Sequence, residues 1–227
     1  MIDFASFKRY EPKIKPLKLH IPLPNQSGFY SQSEFSQVHV CGLNDSDQLG
    51  PTNQSKFDTF VKMEIGKSTI KQVQMSSKGT LFLTDSGDLL LAGDMSQKSD
   101  ENFEKVKGLC LEQISAHSTG RHWLGIDKFG QIWAAGDNSE GQCGQPVSQN
   151  RIHEPVRIQN LPAIIEISAG FDYSLAVSQT GKVFGWGNAS GARLTGKVAK
   201  PKSIEPVLIE IDDFISHVSA GSQGGFE

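Results

Sequence analysis

The sequence predicts an all-β fold, a partial β-propeller of four-stranded blades. Three observations carry this expectation. A glycine-bounded apolar segment followed by a polar, Gly-rich turn occurs four times. A second apolar segment recurs just upstream of it. No stretch shows a convincing apolar period of 3.6 residues, whereas short apolar runs bounded by turn residues are common. β repeats of roughly 40–50 residues favour a propeller.

The first repeating unit is clearest as GQIWAAGDNSEGQCG, Gly130 to Gly144. It recurs as FSQVHVCGLNDSDQLG from Phe35, GDLLLAGDMS from Gly87 and GKVFGWGNASGARLTG from Gly181. In the last three copies two glycines lie six residues apart, and Ser36 stands where the first copy would open. The closing glycines Gly42, Gly93, Gly136 and Gly187 are spaced by 51, 43 and 51 residues. The opening glycines follow Asp85-Ser86, Phe129 or Gln179-Thr180 and suit tight turns with positive φ. The closing glycines suit close approach of one backbone to another.

The upstream segment spans Val73–Gly87, Ile114–Gly130 and Ile167–Gly181, and a fourth copy starts at Val218. The sequence therefore reads as truncated inside a repeat. One repeat is expected to form strands at Ile167–Ala169, Ser174–Val177, Val183–Trp186 and Pro206–Ile209. Longer polar segments at Pro51–Lys71, Asp94–Gln113, Gln145–Ala163 and Lys197–Asp212 are expected to supply loops for a binding rim. Residues 1–30 carry Pro12, Pro16, Pro22 and Pro24 and an excess of Lys and Arg. They read as an extended, locally basic lead-in to repeats covering 31–227.

Composition narrows the function. Net charge is −3, which argues against nucleic acid or an anionic membrane as the main partner. No apolar run approaches the roughly 18 residues of a membrane span, and the amino terminus lacks a secretory h-region. The three cysteines Cys41, Cys110 and Cys143 are widely separated, as free thiols of a reducing compartment would be. A cytoplasmic or nuclear location is expected.

Several constellations resemble functional motifs. Gly191-x-x-x-x-Gly196-Lys197 has phosphate-loop spacing, but Val198 stands where a hydroxyl is needed. Asp45-x-Asp47-x-x-Gly50 resembles only the start of a calcium loop. His117, His122 and Cys110 lack the compact four-ligand spacing of zinc. Cys41 and Cys143 occupy apolar repeat positions, and Trp123, Trp133 and Trp186 read as core, two of them at equivalent strand positions. No catalytic, metal or cofactor residues are assigned, and no enzyme is expected.

Gly136-Asp137-Asn138-Ser139-Glu140-Gly141-Gln142-Cys143-Gly144 resembles the Gly-x-Asn-x-x-Gly-x-Leu-Gly signature of the regulator of chromosome condensation repeat family. Gly42-Leu43-Asn44 through Gly50 matches with Asp47 as the middle glycine, and Ser168-Ala169-Gly170-Phe171-Asp172-Tyr173-Ser174 matches with Tyr173 in a His place. His122 lies close to the same place, where the family packs or bonds between blades. The resemblance implies a seven-bladed ring, of which this chain supplies about three and a half blades. It also implies that a strand near Val38–Cys41 closes the last one. Functionally it implies a protein-binding scaffold within a larger regulatory protein, with a ubiquitin-pathway component among the partner classes. The alternatives it implies are nucleotide exchange on a small Ran-like GTPase, or chromatin binding.

Overall fold

The computed structural model describes residues 29–32, 38–50, 52, 54–63, 65, 68–76, 79–95, 103–119, 121–190 and 202–221. The phosphate-loop-like stretch from Gly191 and the basic lead-in up to residue 28 lie outside them. The described residues contain no α-helix.

Four antiparallel sheets follow one another along the chain, each a simple meander. The first holds β1 (Phe29–Gln32), β2 (Val38–Leu43) and β3 (Lys56–Met63). The second holds β4 (Ile70–Met75), β5 (Gly79–Thr84), β6 (Leu89–Gly93) and β7 (Glu104–Lys105). The third holds β8 (Leu111–Ala116), β9 (His122–Asp127), β10 (Ile132–Asp137) and β11 (Arg151–Arg157). The fourth holds β12 (Ile164–Ala169), β13 (Tyr173–Ser178), β14 (Val183–Asn188) and β15 (Lys202–Ile209). These are propeller blades, with β4, β8 and β12 first in each meander and β7, β11 and β15 last.

Burial explains the sequence pattern strand by strand. The second strand of each full sheet is covered on both faces; all six residues of β5 and of β13 are buried. Such strands need apolar or small residues at every position, so they read as runs, without alternation. The last strands are largely exposed, and β3 buries only Phe57 and Met63. One apolar cluster runs from Leu81 through Trp123 and Leu124 to Trp186 and joins the second, third and fourth sheets. A second, containing Val40, Val73 and Phe82, joins the first sheet to the second.

Three of the four closing glycines sit at irregularities in the pairing. Register shifts fall between Val40 and Gly42, Ala134 and Gly136, and Gly185 and Gly187. Gly136 has φ 110°, and a Cβ there would run into the Arg121 carbonyl oxygen and the His122 backbone. Both the positive φ and the lack of room exclude a side chain.

Successive blades are tied in a repeating way. Leu111 N–H donates to Gly87 O (2.8 Å), Ile164 N–H to Gly130 O (2.9 Å) and Ile215 N–H to Gly181 O (3.2 Å). Ser115 Oγ accepts from Ala169 N–H (3.0 Å), and Ser168 Oγ accepts from Ala220 N–H (2.9 Å). Ile215–Ala220, ISHVSA, thus occupies the place that IIEISA and LEQISA hold in the preceding blades.

Three expectations change. Strands start earlier than expected, at Ile164 and Lys202, and β1 begins at Phe29, ahead of the assigned repeat region. The four long polar segments are not simply loops: they contain β3, β7, β11 and β15, whose exposure makes them polar. Val38–Leu43 lies between β1 and β3 in a three-stranded sheet, where Gly42 makes it the counterpart of the third strands β10 and β14. Trp133 and Trp186 are not equivalent either. Trp133 aligns with Phe184 by its pairing to Gly125, and Trp186 aligns with Ala135.

Candidate functional site

The site grows from the turn that follows each closing glycine. Asn138 is fully buried there. Its Nδ2 donates to the carbonyls of Gln145 (3.0 Å), Pro146 (3.2 Å) and Gln149 (3.0 Å), while Oδ1 accepts from Cys143 N–H (3.0 Å). Asn44 repeats this in the first sheet, bonding Gly50 O and Gln54 O and accepting from Leu49 N–H. An amide both donates and accepts, so one side chain closes the loop from inside. Asp45 is engaged within its turn by Gln48 Nε2 (3.0 Å), as a polar turn requires.

The turn then locks onto the next blade. The Gln142 carbonyl accepts from Ser174 Oγ (2.9 Å) and from Trp186 Nε1 (2.8 Å). Thr80 Oγ1 makes the matching bond to the Gln48 carbonyl. His122 Nε2 lies 2.9 Å from Ser174 Oγ, and both residues are 0% exposed. The Ser174 proton is committed to Gln142, so Nε2–H is the donor to Ser174. His122 Nδ1 is left as a buried lone pair without a hydrogen-bond partner. Burial holds the imidazole pKa down at about 4, against the attraction of Asp137 and with some repulsion from His117. A sealed histidine and a serine whose proton is engaged form an inter-blade lock, not a nucleophile pair. Tyr173, in the corresponding place of the next blade, accepts from Gly221 N–H through its hydroxyl (2.9 Å).

This framework carries charged side chains at one rim, where first strands meet second and third meet fourth. A cleft of about 420 Å³ opens there across the second, third and fourth sheets. Asp94 and Asp137 line it, each directly following a closing glycine. Glu140 and Arg151 come from the ends of the β10–β11 loop, Arg121 from before β9, and Asp172 from the β12–β13 turn. Phe171 stands beside Asp172 and is 47% exposed. Asp172 accepts from Asn188 Nδ2 (2.7 Å), and Asp137 accepts from Ser139 N–H (2.9 Å). Burial lowers the His117 pKa, opposed by the nearby Asp172. A second crevice, about 220 Å³, lies between the outer parts of the second and third sheets over Leu91, Trp123 and Ile152.

The residues singled out in the sequence are not gathered into one site. Cys110 precedes β8 and His117 follows it, about 20 Å apart for an extended six-residue strand. Cys143 is buried, with its thiol pKa pushed up by desolvation, and donates to Asp137 O (3.3 Å). Cys41 is half-buried and Cys110 exposed. Trp123 and Trp186 are core, and half-buried Trp133 bonds Asp127 through Nε1 (3.1 Å). Sequence reasoning missed the rim cleft, whose lining is scattered from Ser76 to Asp172. The available signal was Asp94 and Asp137 at the same step of two repeats.

Residues 130–177 match the family model described as the Regulator of chromosome condensation (RCC1) repeat. Those residues carry a regulator of chromosome condensation repeat. It is 27% identical over 146 residues to the human Regulator of chromosome condensation, covering 63% of this chain and 34% of that protein. It is 24% identical over 191 residues to human E3 ubiquitin-protein ligase HERC2, covering 78% of this chain and 4% of the ligase. In structure it resembles Prp20p from Saccharomyces cerevisiae, with TM-score 0.73 and 18% identity over 96% of this chain and 56% of that one. It also resembles human WBSCR16, with TM-score 0.70 and 18% identity over 81% and 50%. The chain thus spans about half of those propellers and a smaller part of the curated relatives.

Proposed function

We propose that the chain is a non-enzymatic protein-binding part of a propeller, and that its partner docks on the rim bearing the cleft. One observation carries this reading: three successive blades bring charged loop ends and a half-exposed phenylalanine together over a hydrogen-bonded framework. Side chains held on short turns over a hydrogen-bonded framework lose little freedom on binding, which favours specific association. The yeast neighbour's description refers to its binding properties to Gsp1p and histones, which supports a protein partner for this fold.

The test is comparative co-purification of the full-length protein. Phe171→Asp is expected to abolish capture of the major partner, and Phe129→Asp, on the opposite rim, to leave it intact. Equal capture by both variants would move the interface off this rim.

Exchange on a small GTPase is the second reading, favoured by that reference to Gsp1p. It replaces the scaffold reading if the full-length protein accelerates release of labelled GDP from a purified Ran-like GTPase. DNA contact through the cleft is disfavoured, because its carboxylates repel phosphates.

A further inference from the structure

We infer that the outer edge of β3 is a self-association surface, on which a second copy of this chain docks antiparallel across a two-fold axis at Phe60. This is independent of the rim-docking reading above.

The last strand of each sheet is a sheet edge. Edges are blunted against pairing with other chains by shortness or by proline, among other devices. Three of the four follow that rule. β7 is two residues long, β11 carries Pro155 and β15 carries Pro206. The two prolines are equivalent in register. Each ends a stretch that the inner strand leaves unmatched, residues 153–155 in β11 and 204–206 in β15. The corresponding stretch of β3 is 58–60, between the matched Phe57 and Val61. Phe60 therefore stands where two other blades have proline.

Proline fits that place because its nitrogen owes no hydrogen bond to the inner strand. At Phe60 the same place carries an N–H, on an eight-residue strand whose outer edge no described residue pairs with. The Phe60 side chain is 55% exposed, and Val61 next to it is exposed as well. A donor and two apolar side chains thus lie together at an edge without proline.

Charge selects the occupant. Asp58 lies two residues before Phe60 and Lys62 two residues after it. Turned about Phe60, the stretch is its own complement: Phe60 meets Phe60, and Asp58 of each copy faces Lys62 of the other. An antiparallel residue opposite itself can exchange its N–H and carbonyl with the copy, giving two backbone bonds at the axis. Asp58 is also paired with Lys56, and Lys62 has a contact within its own copy. The cross-pairs therefore set register and choice of partner, while the backbone bonds and apolar contact supply the affinity. A strand of an unrelated protein would need no such symmetry.

The test is sedimentation velocity of the full-length protein between about 1 and 100 μM, because so small an interface lies at the weak end of the affinity range. A shift from monomer to dimer across that range is expected. Phe60→Pro installs the residue of the other blades, and circular dichroism checks that it folds. It removes a donor and a ring from both copies, so association is expected to weaken about tenfold or more. Phe129→Asp, at another exposed phenylalanine, is expected to change nothing. D58K and K62D each set like charges opposite one another and are expected to weaken self-association several-fold. An equimolar mixture of D58K and K62D is expected to regain it as a heterodimer, and this decides the matter should Phe60→Pro fail to fold. A monomer throughout, association indifferent to Phe60→Pro, or a mixture no better than either variant alone overturns the proposal. A monomer whose Phe60→Pro variant loses a co-purified protein assigns the edge to that protein and likewise overturns the second copy.

Discussion

Asn138 makes four hydrogen bonds inside a turn that solvent does not reach. Removing the amide leaves carbonyls and an N–H buried and unpaired, at about 1–3 kcal/mol for each group that water cannot rescue. Asn138→Ala in the full-length protein is therefore expected to lose roughly 2–3 kcal/mol in urea denaturation. Asn138→Asp is expected to lose at least as much, because a carboxylate cannot donate to three carbonyls. An Asp variant of unchanged stability would show that the donors do not matter.

His122 carries a pH prediction. Its folded pKa is about 4 against about 6.5 unfolded, so the unfolded chain binds the extra proton. Stability is fully present above pH 6.5, falls as pH drops towards 4, and levels off below that. The full span is about 3 kcal/mol. His122→Gln should flatten this slope in a pH series of unfolding curves; an unchanged slope would place the titration elsewhere. The glycines separate two causes of strain. Gly136→Ala meets backbone at positive φ and is expected to cost more than about 3 kcal/mol, whereas Gly108→Ala, with open space around it, costs about 1–2 kcal/mol from φ alone.

At the scale of elements, each blade prepares the start of the next. Tyr173 receives Gly221 N–H, and Ser168 receives Ala220 N–H. Tyr173→Phe removes one of these bonds without changing the packing volume. It should speed amide exchange at residues 218–221 several-fold while leaving β8–β11 unaffected, a cost of about 1 kcal/mol. Unchanged exchange there would mean that the hydroxyl does not set the position of this segment.

Strand order was legible because the two glycines of each unit mark a turn and a bulge, and both functions demand glycine locally. The outer strands were not, because β3 and β11 bury so little that their residues look like loop. The pairing of His122 with Ser174 was half legible. The place between blades could be named from the repeat, but a partner 52 residues away could not.

At the scale of the molecule, blades arrange side chains that no local window contains. Asp94, Arg121, Glu140 and Asp172 meet only because three sheets stand side by side. Each is an ordinary polar turn residue in its own stretch, so the fold could be read from repetition and the cleft could not. Hydroxyl-radical footprinting of the full-length protein, with and without its co-purified partner, tests the central claim most directly. Protection at residues 117–121, 137–142 and 171–172 is the predicted result. Protection confined to residues 128–131 and 159–163, on the opposite rim, would contradict it.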